Sequence, residues 1–130
     1  MKLVSRVKTS LLALVMTATL SGAVLAADDL QQKVQLQQAM TSFLDDRSTD
    51  GQIILLDQND NALKSVYLAG AHPMIVPLKD GSYFLCADGY DAAGNEVDLD
   101  FLVQPSTTGF RVIDAMLNAR ASVKTIVESQ

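Results

Sequence analysis

Apolar residues recur every three or four positions near the start of the chain, a spacing that predicts an amphipathic helix over about residues 28–45. Asp28 and Asp29 favour its first turn, because carboxylates suit the positive end of a helix. The polar run over residues 45–51 predicts its end. The apolar positions of this helix are Leu30, Val34, Leu36, Met40, Phe43 and Leu44.

Shorter apolar or alternating stretches follow, and they predict strands at residues 53–56, 63–69, 74–78, 82–90 and 97–103. The first is uninterrupted, which predicts a strand covered on both faces. Residues 110–117 are either strand or helix, and their aromatic and β-branched start favours a strand. Asn118 is expected to cap a short last helix.

Together these elements predict an α+β fold. An N-terminal helix is expected to pack on an antiparallel meander sheet of about five to six strands, followed by a short C-terminal helix.

The hairpin turns decide which side chains share a face of this sheet, because side chains alternate along a strand. Asp80-Gly81 predicts a two-residue loop, and Gly94-Asn95 predicts a two- or four-residue loop. Even loops place Cys86 and Asp88 on the core face. His72, Gly89, Asp98 and Asp100 then lie together on the opposite, mixed face, with open space beside Gly89. A loop of odd length reverses this assignment.

Residues 1–26 have the three-part plan of a secretory signal peptide: a basic start, an apolar run over residues 11–20 and a small-residue cleavage site ending at Ala26. We therefore expect a periplasmic or secreted protein with a single domain over residues 27–130 and no membrane anchor after cleavage. Of the 10 basic residues, 3 lie before position 27, which leaves seven against 15 acidic residues, a net charge of −8. Such a charge argues against nucleic acid as a partner.

The only cysteine, Cys86, makes an internal disulfide impossible. We expect a buried free thiol there, since isolated cysteines on apolar faces are mostly inert. The candidate ligand-binding residues are His72, Gly89, Asp98 and Asp100. His72, Asp98 and Asp100 also form a candidate site for a weakly bound divalent metal. No other cofactor is expected, and no motif for catalysis occurs.

The order of helix, antiparallel meander and helix resembles the small α+β domains of the cystatin-like and NTF2-like kind, which implies binding of peptides, proteins or small apolar ligands on a curved sheet. The pattern His72-Pro73, Tyr83-x-x-Cys86-Ala87-Asp88, Asp91-x-x-Gly94 and Asp100-Phe101 is similar to small exported bacterial proteins of unknown function. That second resemblance implies no activity.

The sequence therefore predicts an exported binding or interaction module that acts through the mixed face of its sheet, on a protein, peptide or small-molecule ligand. A periplasmic metal-binding or metal-stress accessory protein is the alternative, and a small hydrolase is a second alternative. An apolar part of the sheet left uncovered would predict a homodimer.

Overall fold

The computed structural model describes residues 21–70 and 73–130, with side chains from residue 28 onward. Its elements, in chain order, are α1 Ser21–Arg47, β1 Gln52–Asp57, β2 Ala62–Leu68, β3 Met74–Pro77, β4 Tyr83–Asp91, β5 Glu96–Ser106, β6 Gly109–Leu117 and α2 Arg120–Glu128. The predicted α+β plan is confirmed, and the segment at 110–117 is a strand. The predicted signal peptide lies outside the described residues, apart from 21–26, whose backbone begins α1.

The sheet is antiparallel and has six strands. Five of them follow the order β1-β2-β4-β5-β6, and the sixth, β3, pairs with β4 along the same edge as β2. β1 and β6 also lie against each other. The sheet is therefore curled until it is nearly barrel-shaped, with an inner and an outer face.

Both hairpins beside β4 have three-residue loops. The N–H of Leu78 donates to the carbonyl of Ser82 at 2.8 Å, and the N–H of Asp91 donates to the carbonyl of Asn95 at 2.9 Å. Each loop ends in a glycine with positive φ, which is typical of a type I turn followed by a left-handed residue. The predicted even loops were wrong, because Asp80-Gly81 forms only part of its loop and Gly94 ends, rather than starts, the second turn.

The odd loops reverse the predicted face assignment. Cys86 pairs with Asp100, and Asp88 pairs with Asp98, so these four side chains share the outer face. Gly89 pairs with Val97 and lies on the inner face instead. The expectation that Gly89 accompanies Asp98 and Asp100 was therefore wrong.

The main core fills the inner face, where α1 packs against the sheet. Leu36 and Met40 of α1 are buried there, and the Phe43 ring meets the edge of the Phe101 ring with centroids 6.1 Å apart. Leu30 and Val34 are exposed, although the sequence placed them on the packed stripe. The buried sheet residues of this core are Ile53, Val66, Leu85, Ala87, Val97, Leu99, Phe101, Val103, Val112 and Leu117.

A second, smaller core lies on the outer face beneath α2. Phe84, Cys86 and Val123 are its buried members, with Leu102 and Met116 packed against them. Cys86 is thus buried, as predicted, but α2 covers it instead of α1. The cap of α2 is Ala119, which makes no side-chain capping bond, so the prediction of Asn118 as the cap was wrong.

Gly89 provides a test of this register. A Cβ built on Gly89 would lie 2.6 Å from the Tyr67 carbonyl oxygen and 2.9 Å from a methyl of Leu99, whereas one on Gly70 meets nothing within 4 Å. We expect Gly89→Ala to lower the free energy of unfolding by about 2 kcal/mol or more, because overpacking forces the backbone to shift. Gly70→Ala is the matched control and should change stability by less than about 0.5 kcal/mol. Equal denaturation midpoints for the two variants would contradict the observed register.

Candidate functional site

Three carboxylates meet on the outer face because of the β4–β5 register. Asp88 and Asp98 are directly opposite each other, and Asp100 follows two residues further along β5. Like charges at opposite positions of a strand pair repel each other. The arrangement therefore requires a cation nearby.

Arg120, the first residue of α2, supplies that cation. Its Nε donates to both carboxylate oxygens of Asp100, at 2.9 and 3.2 Å, and its Nη2 donates to the carbonyl oxygen of Ala87 at 3.0 Å. The same Nη2 lies 3.7 Å from an oxygen of Asp88 and 3.7 Å from an oxygen of Asp98. These contacts hold the start of α2 against β4 and β5.

Burial governs the protonation of the groups around Arg120. Asp100 is fully buried, and burial raises the pKa of its carboxyl, against the opposing effects of the Cys86 thiol and the Arg120 charge. Burial also raises the pKa of the Cys86 thiol to about 12, with a further contribution from its hydrogen bond to Asp100. Cys86 therefore stays protonated at neutral pH and lacks the thiolate that a nucleophile or a soft-metal ligand needs.

Asn118 joins this region to the β1–β2 turn. Its backbone N–H donates to the Asp98 carbonyl at 2.9 Å, and its side-chain amide donates to the Asp57 carboxylate at 3.0 Å. Asp57 is itself buried and accepts a 2.7 Å hydrogen bond from Lys64. The hydrogen bond from Lys64 is the main cause that lowers the pKa of Asp57 to about 2, so the carboxylate stays ionised.

The structure separates the predicted site residues. Asp98 is part of the Arg120 cluster and half-exposed, while Asp100 is buried beneath it. Gly89 is packed in the inner core, and His72 lies outside the described residues. Within residues 21–70 and 73–130, no group of three or more His, Cys, Asp or Glu side chains is arranged to hold a metal ion.

A shallow cavity of about 450 Å³ adjoins the cluster. Cys86 and Ala87 are among the residues that line it, together with Met74, Asp88 and Arg120. The Arg120 guanidinium that lines this cavity already binds Asp100 and the carbonyl oxygen of Ala87, so its contacts with the described residues hold α2 against the sheet.

A second surface on the outer face is apolar and uncovered. Five large side chains on β1, β2 and the end of β4 are between 43% and 73% exposed. We call them the apolar stripe, which consists of Ile54, Leu56, Leu63, Tyr67 and Tyr90.

The strand register makes the apolar stripe continuous. Leu56 pairs with Leu63, and Tyr67 pairs with Tyr90 on the next strand. Ile54 lies between them on β1, within diagonal reach of its neighbours on β2. Patches of large apolar side chains on a protein surface mark interaction sites more often than isolated ones do.

The apolar stripe was not predicted, because the uninterrupted apolar run over residues 53–56 is typical of a strand covered on both faces. In the structure Ile53 and Asp57 face inward, whereas Ile54 and Leu56 are exposed. The available signal was weak: the polar Ser65 lies between Leu63 and Tyr67 on one face of β2, which favours a face that is not fully covered.

Arg120 was missed as well. It lies 20 residues after its main partner Asp100, and no local pattern connects the two. The signal available in the sequence was the set of three aspartates at positions 88, 98 and 100, which needs a cation if it is to be buried.

Comparison with protein-family models, with curated proteins and with solved structures finds no match for this chain. Neither helix in the described part of the chain is long and apolar enough to cross a membrane. Any functional inference therefore depends on the surfaces themselves.

Because Arg120 holds α2 against the sheet, we expect two substitutions that each remove one charge to differ strongly in their effect on the free energy of unfolding. Arg120→Gln leaves the buried Asp100 without its cation, and we expect it to lower the free energy of unfolding by about 2 to 3 kcal/mol, less than for a fully buried pair because Arg120 is partly exposed. Asp98→Asn removes only a contact of 3.7 Å and should cost less than about 1 kcal/mol. Chemical denaturation of both variants measures this difference.

The reactivity of the Cys86 thiol reports independently on the contact between α2 and the sheet, because α2 covers this thiol. Labelling of the folded protein by a thiol reagent should be faster in Arg120→Gln than in the wild type, and unchanged in Asp98→Asn. Unchanged labelling in Arg120→Gln would show that α2 stays in place without this ion pair.

Proposed function

We propose that the protein is an exported interaction module that binds its partner through the apolar stripe on the outer face of β1, β2 and the end of β4. The single observation that carries the proposal is the exposure of five large apolar side chains in one continuous patch. Transfer of such surface out of water supplies the main driving force of most protein association.

The two halves of the outer face differ in a way that supports this proposal. Under α2 the apolar residues Phe84 and Leu102 are covered by the chain itself, through Val123. On β1 and β2 the residues Ile54 and Leu63 are as apolar but remain exposed, with no element from the described residues 21–70 and 73–130 over them. The chain has a helix for one half of the face, and a partner would cover the other half.

The chemistry of the remaining groups favours binding over catalysis. The buried thiol of Cys86 is protonated, and the Asp100 carboxylate is paired with Arg120. Cys86 lines the cavity beside Arg120 only as a neutral thiol, and Asp100 is fully buried. The alternative of a metal-binding protein gains no specific support, since the two candidate carboxylates of Asp98 and Asp100 lie next to a guanidinium that repels cations.

Export is the part of the proposal that depends on the N-terminal sequence. We expect the protein recovered from the periplasm or medium of an expressing cell to begin at Ala27, as measured by intact mass. Recovery of the full chain, with Met1 retained and the protein in the cytoplasm, would contradict export.

The binding surface is tested by amide and methyl NMR shifts in a screen of peptides and small apolar ligands. Shift changes are expected to cluster at the apolar stripe, and Leu63→Ser should weaken the binding of every hit at least about tenfold, since it removes the most exposed apolar side chain of the patch. Leu30→Ser, at a similarly exposed position on α1, is the matched control and should leave the affinities unchanged. Hits whose shifts never fall on the apolar stripe would overturn the proposal.

A further inference from the structure

The apolar stripe is uncharged along its length. On the outer face of β1 and β2, the positions between its apolar members are occupied by Gln52 and Ser65, which pair with Tyr67 and Ile54 respectively. A partner that covers the stripe therefore buries neutral groups there. Charged side chains adjoin the apolar stripe at Tyr90.

One end of the apolar stripe, at Tyr90, leads directly into exposed carboxylates. Glu96 pairs with Tyr90 across β4 and β5, and Asp88 and Asp98 form the next pair on the same face. The Asp88 and Asp98 side chains are 58% and 43% exposed. A ligand that extends past Tyr90 thus meets three carboxylates.

The neighbouring cation does not neutralise this end. Arg120 makes its close hydrogen bonds to the buried Asp100 and to the Ala87 carbonyl, and it lies only at 3.7 Å from Asp88 and from Asp98. One guanidinium therefore lies near three carboxyl groups, and the exposed Glu96 beside Tyr90 adds a fourth, so this end of the apolar stripe carries an excess of negative charge.

We infer that the partner is a polypeptide segment in which apolar side chains are followed by Lys or Arg, so that the apolar part lies on the stripe and the basic part meets Asp88, Glu96 and Asp98. This inference rests on the proposed function of the apolar stripe and adds the chemistry of the partner. Complementary charge beside an apolar contact sets orientation and specificity in protein recognition.

A second copy of the chain fits this surface less well. Lys64 on β2 pairs with Leu55 and faces the inner side of the sheet, where it binds Asp57 and Asp60, so it is not part of the apolar stripe. Two copies packed stripe to stripe would therefore bring no available cation to the acidic end. The sequence as a whole has 15 acidic residues against 10 basic ones, which adds repulsion between copies.

The test compares two short synthetic peptides with the same Leu and Phe positions, one with Lys and one with Glu at all remaining charged positions. Isothermal titration of the purified protein should give a dissociation constant at least about tenfold lower for the Lys peptide at roughly 50 mM salt. The difference should shrink at roughly 500 mM salt, because exposed charges are screened.

Variants separate the apolar from the electrostatic part. Leu63→Ser should weaken the binding of both peptides, whereas the double variant Asp88→Asn with Glu96→Gln should reduce the preference for Lys, leaving only the part due to Asp98, without weakening the binding of the Glu peptide. Ile126→Ser, an exposed apolar position on α2, is the control and should change neither affinity. Circular dichroism of each variant establishes that it is folded.

The outcomes distinguish this inference from the function it rests on. Binding that Leu63→Ser weakens but that shows no preference between the two peptides would overturn the basic partner and retain the binding surface. Self-association of the wild type in sedimentation, lost in Leu63→Ser, would identify a second copy as the occupant and also overturn the basic partner. If Leu63→Ser affects neither peptide binding nor self-association, both proposals fail.

Discussion

The ion pair between Asp100 and Arg120 fixes the arrangement of the outer face. A carboxylate that is fully buried needs a cation or it takes up a proton, and Arg120 meets that need with both oxygens of Asp100 in hydrogen-bond range. Because Arg120 is the first residue of α2, its ion pair with Asp100 also positions the helix. Val123 then covers Phe84 and Cys86. An electrostatic requirement on one strand thus determines which half of the sheet the chain covers itself.

This arrangement depends in turn on the length of two loops. Both hairpins beside β4 contain three residues between their closing pairs, and each is completed by a glycine with positive φ, Gly81 and Gly94. Odd loops place Asp88 opposite Asp98 and Cys86 opposite Asp100 on one face. A loop shorter or longer by one residue would move each partner to the other face. The acidic cluster and the buried thiol are neighbours only because of this parity.

The proposed function depends on the exposed half of the outer face. The apolar stripe and the carboxylates of Asp88, Glu96 and Asp98 are continuous across β4 and β5, so one surface offers both an apolar contact and a charge gradient. Asn118 connects the two regions from beneath, through hydrogen bonds to Asp57 at the β1–β2 turn and to Asp98.

Sequence alone determined the element order and the α+β plan, because these follow from local periodicity and turn residues. It also favoured a buried Cys86, but beneath α1, whereas α2 covers this residue. It could not determine the outer face. Periodicity assigned Leu30 and Val34 to the packed side of α1, and a short apolar run made β1 look covered on both sides, yet all of these depend on which elements come to lie against them. The pairing of Asp100 with Arg120, the separation of Gly89 from the aspartates and the exposure of the apolar stripe were decided by tertiary structure. The physical reason is twofold. A change of one residue in the length of a hairpin loop moves every following side chain to the other face of the sheet. A buried charge pairs with a group that is close in space, whatever their separation along the chain.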